Sequence, residues 1–368
     1  MGTHRSASGS RGIARWVIAA IVAVLVLAAI AAAMVWLSGR SAQEGRDAAA
    51  TCVEGELPLR VAAAPALVAP LQRVAEAFNK SGTVSSDYCP RVEVTGIESS
   101  VALASLSGTW DHKLGAAPAL WIPESTTWTA RLAAVRPAEV SGQPTSIASS
   151  PAVLAVRRST RAEFDGARWL DLPARQPQLR VALPTGADSD GTYVAAQSVA
   201  AAVARTNGAQ IGEEAARGPL VTGTLARWAA AAPRFASTTA ALEALMVPPP
   251  EAVKAVAVTE QQLLTFSRGR GDTAPVAVYP AGPTASATYP AAVLDRDGVS
   301  DAQRRAAADF VAYVGKDDNA KPLAEAGFRV RDIPTPAKTP AVTFSTVAPL
   351  ATPTNPAVVA ISDAVTVK

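Results

Sequence analysis

Histidine, cysteine and methionine are nearly missing from this 368-residue chain, which holds two, two and three of them. The scarcity of histidine excludes most hydrolytic chemistry. His4 lies in the N-terminal segment, so a Ser-His-Asp triad would have to use His112, which sits in the charged patch Asp111-His112-Lys113. No Gly-x-Ser-x-Gly elbow and no Ser-x-x-Lys occurs anywhere in the chain. With His4 on the other side of the membrane segment, only His112 could join Cys52 and Cys89, too few ligands for a zinc centre. No enzyme activity, metal or other cofactor is expected. Aromatic residues make up only 5% of the chain, and no basic stripe interleaves with them, which removes nucleic-acid binding.

Charge is also missing from one long stretch. Residues 16–37 form an unbroken apolar run, long enough to cross a hydrocarbon core of about 30 Å as a helix. Arg5, Arg11 and Arg15 precede it. The first 37 residues hold these three of the 34 basic residues and none of the 31 acidic ones, which leaves 31 against 31 beyond. The net charge of +3 therefore belongs to topology. Residues 1–15 are expected in the cytoplasm, 16–37 in the membrane as a signal anchor, and the rest outside the cell. Ala31-Ala32-Ala33 keeps cleavage open as an alternative. In an exported chain, two cysteines are most simply one disulfide, so Cys52 and Cys89 are expected to pair. Closing that loop stabilises the fold by roughly 4 kcal/mol in the chain-entropy model.

Residues 38–56 read as a tether. From Leu57 the pattern alternates between short apolar runs and helical periods, as in α/β proteins. Strands are expected at 59–64, 91–97, 119–122, 179–183, 254–258, 276–279 and 289–294, and the stretch 145–156 reads as a small-residue loop that passes through Pro151 into a buried strand and as the first crossover between lobes. Helices are expected at 67–78, 99–108, 126–134, 225–232, 238–246, 260–268, 301–313 and 320–326, with an alanine-rich one ending near Arg205. Beyond residue 330 the composition turns to Pro, Thr, Ala and Val, which reads as a linker or tail over 331–368.

Hydroxyl residues gather where strands pass into helices. Ser99 and Ser100 follow Glu98, Ser125 follows Glu124, and Ser149 and Ser150 lead into the run that begins at Pro151. The loop Thr185-Gly186-Ala187-Asp188-Ser189-Asp190-Gly191-Thr192 carries Thr185, Ser189 and Thr192. It has the wrong spacing after its strand for an aspartate-nucleophile phosphotransferase and the wrong residues for a metal-adhesion site. Free N–H groups at such junctions suit acceptor groups on a ligand. Junctions at strand C-terminal ends gather on one rim in open α/β sheets.

In this order the chain resembles the type 2 periplasmic (solute) binding protein superfamily. The likeness runs through Leu59-Arg60-Val61-Ala62-Ala63-Ala64, Val92–Ile97 with Ser99-Ser100, and Ala119-Leu120-Trp121-Ile122-Pro123-Glu124-Ser125 with Trp128. It continues through 146–156, Trp169-Leu170-Asp171-Leu172, 179–185, 276–280 and Gly327-Phe328-Arg329. Membrane-anchored actinobacterial relatives often continue into a von Willebrand A domain, which is absent here. The resemblance implies a two-lobe α/β fold with two crossovers over 57–330, with lobe one at 57–156 plus 280–330 and lobe two at 157–279. It implies a membrane-tethered extracytoplasmic domain that closes over a small polar solute. Its ligand contacts would be Ser99, Ser100, Glu124, Ser149, Ser150, Thr185, Ser189, Thr192 and Tyr279. Its partners would be that solute and a membrane transporter or envelope protein. The rival expectation is a protein–protein interaction module on a binding-protein fold that has lost its ligand.

Overall fold

Glu56–Ala63 forms the first strand, β1, and its apolar residues Leu59, Val61, Ala62 and Ala63 are all buried. In the computed structural model the described residues are 22, 24–34, 36, 52–186, 188–247 and 252–366. Helix α1 (Val68–Lys80) follows, with Leu71, Val74, Ala75 and Phe78 facing inward at helical spacing and Pro70 in its first turn, where no helical N–H is lost. Strand β2 (Cys89–Gly96) returns parallel to β1, and the Cys52–Cys89 disulfide, with a Cα–Cα distance of 5.3 Å, fixes the chain just before β1 to the start of β2. Helix α2 (Ser99–Leu106), strand β3 (Leu120–Ile122) and helix α3 (Thr126–Val135) complete this first half.

The stretch 145–156 passes from one sheet to the other, as expected of a crossover, and its start adds a two-residue strand where a loop was expected. Its start, β4 (Thr145–Ser146), pairs with β10 (Pro290–Val293) in the first sheet, whose order is β2-β1-β3-β10-β4. Its end, β5 (Ser150–Val156), lies in a second sheet between β7 (Ala255–Thr259) and β8 (Val276–Val278), with β6 (Val181–Ala182) parallel to β7 at the edge. The sequence reading placed 150–156 with lobe one. Every residue of β5 is buried, and that unbroken apolar run suits the centre of a sheet covered on both faces. The chain crosses between sheets at 147–149 and returns after β9 (Ser286–Ala287), which pairs with the start of β5. A third passage runs beside them, where Ser149 and Arg329 exchange backbone bonds of 2.7 and 2.8 Å.

Helices of the second half cover the second sheet. They are α4 (Asp190–Val203), α5 (Glu213–Arg217), α6 (Pro219–Ala231), α7 (Thr238–Met246) and α8 (Glu260–Ser267), the last begun by a capping box between Thr259 and Gln262. After β10, helices α9 (Asp301–Val314) and α10 (Asp317–Glu325) return to the first sheet, where Phe78 meets Phe310 and Tyr313 edge-on at 5.3 and 5.1 Å.

The segment read as a linker or tail is part of the fold. Val342 and Phe344 are buried in the second half's core, and the backbone of residues 341–354 bonds to Ala277, Thr284, Gly208 and Ile211. It ends in helix α11 (Asn355–Val365), which packs on α4, α5 and α6 of the second half and on α3 of the first. Proline-rich composition conceals an element whose apolar face, Ala357, Val358, Ile361 and Val365, is fully covered. Of the expected membrane span, residues 24–34 are helical and exposed, and much of the remainder lies outside the described residues. No helix among the described residues is long and apolar enough to cross a membrane.

Candidate functional site

Two strand-to-helix junctions, one from each half, meet across the seam between the sheets. From the first half, β3 ends in Pro123-Glu124 and α3 begins, with Ser125 as its N-cap accepting from the Thr127 N–H at 3.3 Å. From the second half, α4 begins at Asp190. The Trp128 indole N–H of α3 donates to both carboxylate oxygens of Asp190, at 2.9 and 3.1 Å, and its ring meets Tyr193 edge-on at 5.8 Å. Tyr289, on the return crossover, donates its N–H to the Glu124 carbonyl at 3.1 Å and holds a positive φ of 42°. An aromatic residue in that region is strained and is held there by its surroundings.

The seam is acidic. Glu98, Glu124, Asp188 and Asp190 converge there, and among the described residues no lysine or arginine forms an ion pair with any of them. Burial, then the Asp190 charge and a hydrogen bond to it, hold the Glu124 carboxyl well above its ordinary range. These causes favour the protonated form of Glu124, the form that can donate to Asp190. Burial and then the Asp188 and Asp190 charges also raise Glu98. Burial, followed by Glu124 and Asp190, keeps the Tyr289 phenol neutral. Asp188 is fastened from below, accepting from the Thr238 N–H at 2.7 Å and the Thr239 hydroxyl at 3.0 Å.

The family model described as bacterial extracellular solute-binding protein matches residues 59–329. The chain belongs to that family. Among relatives, this solute-binding protein is 34% identical over 358 residues to the uncharacterized protein Rv1836c of Mycobacterium tuberculosis (strain H37Rv). That match covers 90% of this chain and 51% of the relative, so the chain spans about half the length of the curated relatives it matches. Among solved structures it is similar to the sulfate-binding protein SubI from M. tuberculosis H37Rv, with a TM-score of 0.51, 18% identity, and 76% and 88% of the two chains covered. Iron-bound HitA from Pseudomonas aeruginosa matches with a TM-score of 0.57 at 15% identity, covering 84% and 97%. At these identities the likeness shows the two-lobe fold alone. One neighbour is a sulfate-binding protein and the other is iron-bound, so the fold by itself names no ligand.

Of the residues expected to contact a solute, the structure brings three to this seam. Ser99 is buried and accepts from the Glu124 N–H at 3.2 Å, Glu124 lies beneath Tyr289, and Thr192 follows Asp190 with its hydroxyl buried and unpartnered. Ser150 is buried and accepts from the Gln261 N–H at 2.8 Å, tying β5 to α8. Ser189 donates to the Gly186 carbonyl within its own loop. Others stand apart. Ser100 is exposed on α2, and Ser149 donates to the Arg329 carbonyl at the crossover. Thr185 lines a small cavity of about 150 Å³ beside Phe235. Tyr279 donates to Glu260 at 2.6 Å, and Glu260 is held by Arg329 through bonds of 2.7 and 2.8 Å in a separate buried network.

Sequence reasoning passed over Trp128, Asp190, Glu98 and Tyr289. Asp190 stood inside the loop already singled out, and a carboxylate one residue before the helical glycine was the available signal. Nothing in the order of residues announces that Trp128 reaches it across the seam.

Proposed function

We propose that this is an extracytoplasmic solute-binding protein, tethered through residues 16–37, that captures a small polar solute between its two lobes and serves a membrane transporter or a sensor. The observation that carries the reading is the meeting of Glu124 and Asp190 from opposite halves in a buried cluster of acids that no lysine or arginine among the described residues pairs with. Parting the lobes exposes that cluster, and closing them on a cationic or hydroxyl-rich group replaces the bond between the two acids and the Trp128 bond with ligand contacts. Ser99 and Thr192 stand beside the cluster and add hydroxyl contacts.

A thermal-shift screen of residues 52–368 against polar metabolites tests this, with native mass spectrometry for any molecule retained on purification. Saturable stabilisation lost in Asp190→Asn is the expected result. A screen without a single stabilising compound, and no scattering change with any of them, sinks the reading.

One observation favours a second reading. Trp128, Tyr193, Tyr289 and Glu124 already fill the seam, and α11 packs across both halves, as in a binding-protein fold retained as a surface for an envelope protein.

A further inference from the structure

A groove of about 730 Å³ lies on the second half, between the C-terminal end of α4, the outward side of α6 and the segment 170–174. Among the described residues from Cys52 onward, two leucines are left exposed, Leu170 at 49% and Leu220 at 66%, and both line this groove. Helix α6 turns Val221, Leu225 and Trp228 into the core. Leu220, Thr224 and Arg227 each stand one position earlier, so they form a second row at helical spacing on the groove side. The Arg227 guanidinium folds back along that row over Gly223. No acidic residue lines the groove, and its two charged residues are Arg205 and Arg227. Among the described residues, neither side chain forms an ion pair or a hydrogen bond. Arg205 closes the last turn of α4, where its N–H bonds to Ala202 at 3.3 Å and that of Thr206 to Ala201 at 3.1 Å. Its φ is 56°, the left-handed backbone that this closing turn ordinarily gives to glycine.

We infer that this groove docks an acidic amphipathic helix of a partner protein. Leucines this open to solvent form a shallow face, unlike the pockets that bury most of a small molecule's surface. A helix laid along α6 sets its apolar row over Leu170 and Leu220 and brings carboxylates to Arg205 and Arg227 at the edges. Those guanidiniums are free to take carboxylates in paired hydrogen bonds, and no acid in the groove competes for them. A basic helix would meet like charge at both edges. An anionic bilayer is held by clusters of about four to eight cations, more than the two that line this concave face. The inference goes beyond solute capture and uses no residue of the seam.

The test is fluorescence anisotropy on the full chain in a neutral detergent, with a short labelled helical peptide that carries leucine at i, i+4 and i+7 and glutamate beside them. The same peptide with lysine in place of glutamate is the control. Saturable binding of the acidic peptide, weakening as salt rises, is expected, with the lysine peptide bound about tenfold more weakly. Arg205→Gly and Arg227→Ala are each expected to weaken binding about threefold, and Leu220→Ser about tenfold. Arg205→Gly should also melt no lower than the parent, because glycine is at home in left-handed backbone, so its weaker binding is separate from any loss of fold. The inference is overturned if neither peptide binds, if both bind alike, or if the three variants bind as the parent does. It is also overturned if phosphatidylglycerol added to the micelles abolishes peptide binding, which makes the groove a lipid surface. A peptide-free dimer that Leu220→Ser splits overturns it as well, since the occupant is then a second copy of the chain.

Discussion

Glu124 is the residue whose protonation sets how the two halves meet. Its carboxyl starts from an ordinary value of 4.5 and is raised by burial, then by Asp190. The folded chain thus binds a proton that the unfolded chain has released, so stability falls as pH rises. The contribution is fully present below pH 4.5 and is lost as pH climbs through the raised folded value. Glu124→Gln carries a neutral group at every pH and should remove this slope, about 1.4 kcal/mol per pH unit for one proton. Urea unfolding of both chains between pH 4.5 and 8 measures it, and parallel curves would show that Glu124 is ionised in the fold. Trp128→Phe keeps the ring and loses both bonds to Asp190, so it should cost about 1.5–3 kcal/mol, the worth of hydrogen bonds to a charged group. Equal unfolding midpoints would mean that water replaces the indole N–H. Serine-rich junctions were legible in the sequence because capping and small residues leave local signs. The acids between them were not, since their meaning comes from a partner some sixty residues away.

Helix α4 shows the same limit at the scale of an element. The sequence marks its start with Asp188-Ser189-Asp190-Gly191, where a glycine would ordinarily suggest backbone freedom. Its actual role is closeness: a Cβ at Gly191 would overlap the backbone of Val258 and Ala257 in β7. The helix packs its first turn on the strand with no side chain between them, which places Asp190 at the seam. Gly191→Ala should therefore push α4 off β7 and cost roughly 1–3 kcal/mol, in the manner of overpacking. Because that shift also moves Asp190 away from Trp128, the variant should change tryptophan fluorescence in the folded state. A variant with parental stability and spectrum would place the contact elsewhere. Periodicity found α1, α3 and α9 within a few residues, because each has one apolar face over its whole length. It passed over α11, where Pro356 and two adjacent valines resemble an extended tail, although Pro is at home in a first turn. It also read the start of 145–156 as loop and so missed β4, because two exposed polar residues paired only with another strand leave no periodicity to see.

For the whole molecule, the two sheets and their crossovers explain how the halves are joined, and the terminal segment explains what keeps them together. Three short passages at 147–149, 288–289 and 329 join the halves, and segments of this length are where domain hinges lie. Residues 348–365 cross away from these passages. They bond to Thr284, Gly208 and Ile211, then lay α11 over α4, α5 and α6, while Arg131 on α3 reaches Asp363 at 2.6 Å and Ser362 at 2.9 Å. The Arg131–Asp363 pair is partly exposed and contributes little by itself, about 0–1 kcal/mol. The apolar contact carries the hold, with Val358 and Ile361 fully buried. Ending the chain after Thr346 keeps Val342 and Phe344 in the second core and removes only this clasp. The shortened protein should populate an open arrangement, seen as a larger radius of gyration by small-angle scattering. The full chain should keep one closed form at the same pH. Ile361→Ala retains the clasp and weakens it by about 2–5 kcal/mol, the range for truncating a buried isoleucine, so it should fall between the two. If all three scatter alike while remaining folded, the seam holds the halves together without α11.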